Sequence, residues 1–297
     1  MTEEISQGVP VLVLGASGML GSAVLRVLAE SDGLAVTGTV RSARAARLLA
    51  PHLQARVTVG VDVENHDALV ELLRAVRPAV VINCVGLVKQ IGAANDPLQA
   101  LPINALLPHR LARLSALQGA RLIHISTDCV YDGQKGGYRE TDTSNANDLY
   151  GRSKFLGEVD YPNAITLRTS IIGRELDSRN GLVEWFLAQE GRCKGFTRAI
   201  FSGLPTDELA RVIRDHVLPN PDMTGVYHVA SEPIDKYSLL TIIRDLYDKS
   251  IEIVPDDNLV IDRSLNYERF RDRTGYVAPS WPQLCAGMRD FGLSSAT

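Results

Sequence analysis

VLVLGASGMLGSAV, residues 11–24, decides how this chain folds. The run VPVLVLG (9–15) reads as a buried strand, and MLGSAVLRVLAE reads as the helix that follows it. Between them stand Gly15, Gly18 and Gly21, spaced GxxGxxG, one residue longer than GxGxxG. Glycine permits a tight turn and lets the backbone approach a pyrophosphate at the helix N-terminus. Gly21 would also let the helix pack closely on the sheet, and Ser17, Met19 and Leu20 complete the turn. Three glycines can make a plain turn. Here a strand precedes them and a helix follows at the start of the chain, which is the context a dinucleotide-binding turn requires.

Working outward, apolar runs alternate with helical patterns through the first 170 residues or so. The further strands are AVTGTV (35–40), VTVGVDV (57–63, partly loop), AVVINCVG (79–86), RLIHIS (121–126) and AITLRTSII (164–172). Helical patterns lie between them in SARAARLLAPHL, HDALVELLRAVR, a Pro-interrupted NALLPHRLARLSALQ, and LYGRSKFLGEVD. Asn65 or Asp67 caps the HDALVELL helix, and Asn147 or Asp148 caps the LYGRSK helix. Near-continuous apolar strands separated by helices predict an α/β fold, a Rossmann-like doubly wound parallel sheet covered on both faces. After Gly173 the texture changes. A helix in TDELARVIRDHVL, a strand in GVYHVA, a helix in YSLLTIIRDLY and a tail with Pro279 and Pro282 around Trp281 predict a smaller mixed unit. The expected division is 1–173 for the cofactor and 174–297 for the substrate, with part of the second half returning to the main sheet.

The 297 residues suffice for a large core, and a net charge of −4 gives no basic face for nucleic acid or anionic membrane. No apolar run approaches the ~20 residues of a membrane span, and MTEEISQG is too acidic and polar for a secretory signal. Cys84, Cys129, Cys193 and Cys285 are far apart, which predicts free thiols in a reducing cytoplasm. The six His residues show no HxH or HExxH spacing; His109, His124 and His228 read as core or surface residues, and no metal is expected.

At the end of the second strand an NAD site usually offers an acid to the ribose. Here TGTVRSARAAR offers Arg41, Ser42 and Arg44, a set that suits a 2′-phosphate and predicts NADP(H). The same residues would also serve as a solvated helix start. Asp62 and Val63, at the end of the third strand, are candidate neighbours of the adenine.

Tyr150 and Lys154 stand four apart in LYGRSKFLGE, so both can point into one cleft. A phenol with pKa ~10 is a poor acid at neutral pH, and a nearby ammonium would lower that value. The tuned phenol can hand a proton to a carbonyl oxygen or take one from a hydroxyl. Lys154 could also bond the cofactor ribose. Thr127 ends the fifth strand, where open α/β sheets place ligands, and its hydroxyl could orient that carbonyl.

Together Gly15, Gly18, Gly21, Thr127, Tyr150 and Lys154 resemble the extended short-chain dehydrogenase/reductases. RPAVVINCVG, NALLPHRLA, ISTDCVYDG, YGRSK, LPTDELARVI, GVYHVAS and DRSLNYERF, in this order, resemble the dTDP-4-dehydrorhamnose reductase family and related sugar-nucleotide reductases over nearly the whole chain. The resemblance implies Thr127, Tyr150 and Lys154 as the catalytic trio. It also implies Cys84, Val85 and Gly86 along the cofactor and Asn104 as the helix Asn near the active site. The chain departs from these patterns in several places. Cys129 stands where the reductases have an aromatic residue. GDP-fucose synthase has a Cys there with a His after the sixth strand, but SIIGRELDSRN contains no His. The 4,6-dehydratases follow their Thr with Asp and Glu, whereas Asp128 is followed by Cys129. These absences favour simple reduction. VGLVKQ also departs from the rhamnose pattern.

Substrate contacts are expected from Asp128 and Cys129, from Lys89 where the cleft opens, and from Arg174 and Arg198 toward a diphosphate. The expected activity is NADPH-dependent reduction of the C4 ketone of a nucleotide-linked 4-keto-6-deoxy sugar, in deoxysugar biosynthesis, by a homodimer. An epimerase holding NAD tightly is disfavoured by the basic loop at 41–44. A non-catalytic NADP-binding sensor is disfavoured by the intact trio.

Overall fold

In a computed structural model, which describes residues 8–88 and 92–293, the apolar runs become seven strands of one sheet. They are β1 (Val9–Leu14), β2 (Leu34–Val40), β3 (Val57–Val59), β4 (Val80–Asn83), β5 (Arg121–Thr127), β6 (Ala164–Thr169) and β7 (Gly225–His228). Their order is β7-β6-β5-β4-β1-β2-β3, and every pairing is parallel. This is a Rossmann-like sheet. Its order reverses between β1 and β4, the switch point where such sheets open a crevice. Side chains alternate between the two faces of a strand. Accordingly Val11, Val13, Ile82 and Ile123 join one core, and Leu12, Leu14, Val81 and Leu122 the other.

Helices α1 (Met19–Ala29), α2 (Ala43–Arg47), α3 (His66–Val76), α4 (Leu107–Leu117) and α5 (Leu149–Leu156) connect these strands. Asn65 caps α3, accepting from Ala68 N at 3.1 Å, and Asp148 caps α5, accepting from Gly151 N at 2.7 Å. Four expected elements differ. β3 stops at Val59 because the chain turns at Gly60, leaving Asp62 and Val63 in the loop beyond the strand. SARAARLLAPHL does not form one helix. Ala50, preceding Pro51, is extended (ψ 144°), and a second short helix starts at Pro51. The expected long strand at 164–172 breaks after Thr169, and Ile171–Ile172 pairs instead with Leu204–Pro205.

The fourth difference touches the site. A π-helical turn, Leu101–Leu106, runs directly into α4. Pro108 has no amide to return to the carbonyl of Asn104, as a regular helix would require. That carbonyl is met instead by the end of α5, where a Cβ on Gly157 would lie 2.0 Å from it.

Beyond Gly173 the chain forms α6 (Thr206–Val212), α7 (Lys236–Leu246), α8 (Trp281–Leu293) and short two- and three-stranded sheets. The strand β7 from this half pairs beside β6. α6 packs on α1, and one apolar cluster is continuous from Val11 through Leu209 and Ile243 to Met288. Among the described residues no helix is long and apolar enough to cross a membrane, and no group of three or more His, Cys, Asp or Glu could hold a metal. None of the four cysteines forms a disulfide.

Candidate active site

The glycine turn packs backbone closely against backbone. Gly15 has φ +79°, and a Cβ there would lie 3.0 Å from Val85 Cγ2 and 3.3 Å from the Cys84 carbonyl carbon. A Cβ on Gly21 would fall 2.1 Å from the Gly15 carbonyl oxygen, so any other residue would push α1 off β1. Gly18 is the N-cap of α1 and supplies no side-chain acceptor. The amides of Met19, Leu20 and Gly21 therefore open the helix without intrahelical partners, the arrangement that receives an anion.

Across the switch point, β4 ends at Asn83 and the chain runs through Cys84, Val85 and Gly86 over the turn. Asn83 Oδ1 accepts from Val85 N at 3.1 Å, and its Nδ2 lies 3.2 Å from His124 Nδ1. Asn104, buried in the π turn, accepts at Oδ1 from Leu87 N (2.9 Å) and donates from Nδ2 to Ser153 Oγ (3.2 Å). Ser153 Oγ in turn donates to the Tyr150 carbonyl at 2.9 Å. Asn104 thus ties the loop after β4 to α5. Gly86 fits against both: a Cβ there would be 3.5 Å from Asn104 Oδ1 and 3.8 Å from Lys154 Nζ.

The expected trio meets at the C-terminal end of β5. Thr127 Oγ1 donates to Asp128 Oδ1 and accepts from Cys129 N, both at 3.1 Å, and it hydrogen-bonds the phenol of Tyr150. Lys154, 5% exposed, donates from Nζ to the Ile125 carbonyl at 2.8 Å. Burial pulls its ammonium down to about 8, against the opposing charge of Glu158. The phenol does not behave as the sequence suggests. Burial, with the charges of Cys129, Asp128 and Asp148, raises Tyr150 above its ordinary value, against the Thr127 hydrogen bond. The lysine is anchored on the Ile125 carbonyl, and beside it the phenol still stands above its ordinary value. Tyr150 is a firmly protonated donor.

Asp128 lies beside this trio. Burial raises its carboxyl above the ordinary value, opposed first by Arg263 and then by the Thr127 hydrogen bond. Lys236, at the start of α7, feels the charges of Asp128 and Cys129, while burial lowers it. Lys236 and Arg263 thus bring two cations from the C-terminal half to the Thr127 edge. Neither is visible as a site residue in the sequence, because their loops meet β5 only through tertiary packing. A third residue, Glu158, had a legible signal: it stands four after Lys154 in the register that made Lys154 notable.

The other candidates are spread out. Ser42 caps α2 by accepting from Ala45 N at 3.2 Å. Arg44 pairs with Asp177 at 2.9 Å, its side chain 75% exposed, while Arg41 is exposed. Asp62 Oδ1 accepts from Glu64 N at 3.0 Å in a solvent-facing turn. Arg174 is paired through Nε with Glu184, which takes up part of the guanidinium expected to meet a phosphate. Arg198 is exposed at the edge of the strand Ala199–Phe201. Lys89 lies outside the described residues. His109 binds the Tyr161 hydroxyl and the Leu156 carbonyl, and His124 and His228 are buried.

With this geometry in view, comparison with known proteins is informative. The family model described as the RmlD substrate binding domain matches residues 9–255. The Haloferax volcanii protein named "Probable low-salt glycan biosynthesis reductase Agl14" is 30% identical over 264 residues, 85% of this chain and 83% of its own. Methionine adenosyltransferase 2 subunit beta of Danio rerio is 28% identical over 260 residues, 82% of this chain and 76% of its own. A crystal structure of dTDP-4-dehydrorhamnose reductase from Bacillus anthracis in complex with NADP superposes with a TM-score of 0.78 at 21% identity. It covers 96% of this chain and 99% of that one, a likeness of fold.

Proposed function

The chain belongs to the RmlD substrate binding domain family, and from that premise we propose that it is an NADPH-dependent reductase of a nucleotide-diphosphate-linked 4-keto-6-deoxy sugar. The convergence of Thr127, Tyr150 and Lys154 at the end of β5, facing the glycine turn, carries this reading. Residues 1–173 would hold the dinucleotide: the pyrophosphate over the α1 amides, the nicotinamide ribose near Lys154 and Gly86, and the 2′-phosphate near Arg41 and Ser42. Residues 174–297 would hold the sugar nucleotide, with Lys236 and Arg263 reaching its sugar and Arg198 nearer its phosphates. The bound nicotinamide would supply the hydride. Tyr150, held protonated by burial, donates its proton to the oxygen of the C4 ketone, and Thr127 orients that oxygen. Lys154 holds its charge beside the developing alkoxide. The enzyme would work in the cytoplasm, where its thiols stay reduced.

NADPH oxidation against dTDP-, UDP-, GDP- and CDP-linked 4-keto-6-deoxy sugars tests this directly. Turnover of one of them is expected, and silence across the panel with NADPH bound would refute the reading. The beta-subunit relative supports a second reading, a binding subunit for another protein. That reading expects NADP binding without turnover.

A further inference from the structure

Beyond the trio, the end of α5 carries a buried acid that the proposed chemistry does not use. Glu158 follows Lys154 by four residues, just past the helix end at Gly157. Its side chain is 5% exposed, as is that of Arg168 on β6. Arg168 donates Nε to Glu158 Oε1 at 2.7 Å and Nη2 to Oε2 at 2.5 Å. Ser126 on β5 donates Oγ to Oε1 at 2.7 Å. Arg168 is held in turn: its Nη1 donates to the Tyr131 hydroxyl at 2.5 Å, and that hydroxyl donates to the Arg139 carbonyl at 2.9 Å. A bidentate, triply bonded carboxylate at this depth cannot swing out to a ligand. Its charge acts on what lies within the fold.

Lys154 is anchored beside it on β5: its Nζ donates to the Ile125 carbonyl, one residue before the Ser126 hydroxyl that donates to Glu158. α5 contributes Tyr150, and the residue just past its C-cap is Glu158. From β5, the Ile125 carbonyl accepts its proton, and His124 stands beside it, kept neutral by burial and by the Lys154 charge itself. From the end of β4 comes Cys84, whose thiol burial pushes up to about 12, so it carries no charge at neutral pH. Gly86 and Asn104 complete the surround without charge. The carboxylate that supports the ammonium is therefore Glu158, and its effect on Lys154 opposes that of burial.

We propose that Glu158, clamped by Arg168 and Ser126, is a positioning residue that keeps the buried Lys154 ammonium charged. The proposal deepens the reductase reading, because a charged Lys154 is what that reading needs. Its test uses no substrate. In protein labelled with ¹³Cε-lysine, the Lys154 resonance is identified by its loss in Lys154→Arg and followed through a pH titration. The wild type should titrate near 8. Glu158→Gln should titrate lower by about one pH unit, the low end of what a neighbouring opposite charge does to a buried group. Glu158→Gln strands Arg168 and can lose its fold, so Glu158→Leu with Arg168→Met provides the second arm. It removes both charges while preserving apolar bulk, and should also titrate lower. A folded variant of either kind with Lys154 at the wild-type pH would overturn the proposal. A lowered titration in a protein that reduces no 4-keto sugar would leave the proposal standing and remove the reductase reading instead.

Discussion

At the edge of β5, Lys154 is 5% exposed and bound to a strand carbonyl; after β2, Arg44 has a 75% exposed side chain and pairs with Asp177 in open solvent. Both regions are proposed to meet the same cofactor, yet they are built in opposite ways. The β5 edge is a set of polar groups that bond one another inside the protein. Thr127 bonds Asp128 and Cys129, Asn104 bonds Leu87 and Ser153, and Glu158 bonds Arg168 and Ser126. Buried polar groups must be satisfied, so the fold dictates their positions. The loop after β2 has no such constraint. Its charges are hydrated and screened, and they change partners at little cost. Chemistry belongs with the first kind of construction, and adjustable cofactor preference with the second.

The contrast breaks first at Tyr150. Tyr150→Phe keeps the ring and its packing but deletes the proton, so kcat should fall by the ~10²–10⁴-fold typical of a lost general acid. NADPH affinity should barely change. An unaltered kcat in a folded Tyr150→Phe protein would reduce the α5 face to ordinary surface.

Lys154 sharpens the same region. Lys154→Met should lower kcat and weaken NADPH binding together. Its effect should be strongly non-additive with Tyr150→Phe, because groups acting as one unit fail together. The pH profile follows from the direction of the shift. Burial holds the lysine below its ordinary 10.5, at about 8, so its charge is present below that pH and lost as pH rises through it. In the free enzyme kcat/KM should fall on the alkaline side with a midpoint near 8, where an ordinary lysine would give no fall until beyond 10. A flat profile from pH 7 to 9.5 would show that the charge plays no part.

The loop after β2 should respond more weakly. Arg41→Ala should weaken NADPH more than NADH. At so exposed a position the loss should be near the lower end of a charge-assisted contact, about 1.5 kcal/mol or roughly tenfold. The difference should shrink as salt is raised. Equal losses for both cofactors, or insensitivity to salt, would remove the phosphate from this loop.

Much of this architecture was legible in the sequence because the signals were local. GxxGxxG after an apolar strand fixed the first turn, and the i, i+4 spacing placed Tyr150 and Lys154 on one face. Asn104 was legible from resemblance, but its role as a brace was not. That role depends on the π turn that Pro108 imposes, a contact with Leu87 and a close approach by Gly157. The pairing of Arg174 with Glu184 and the approach of Lys236 and Arg263 to Asp128 were illegible for the same reason, since tertiary packing alone sets them. The direction of the Tyr150 shift was misread because spacing on a helix says nothing about how deeply a phenol is buried, or which acids surround it.

The smallest effect belongs to Cys129. It sits beside the trio without a His after β6 to act as its opposite in proton exchange. Cys129→Ser should keep most of the reductase activity, and the wild type should wash no solvent deuterium into C3 or C5 of the sugar. Deuterium at either carbon would make the β5 edge an epimerising site.

The central claim is that this edge delivers hydride and proton to opposite ends of one ketone, and following the hydride itself tests it most directly. NADPH deuterated on nicotinamide C4, incubated with the sugar nucleotide that supports turnover, should place deuterium at C4 of the reduced sugar. Tyr150→Phe should bind the same NADPH and transfer at least ~10²-fold more slowly. NADPH bound at the glycine turn, with no deuterium reaching C4 of any sugar nucleotide offered, would contradict the account.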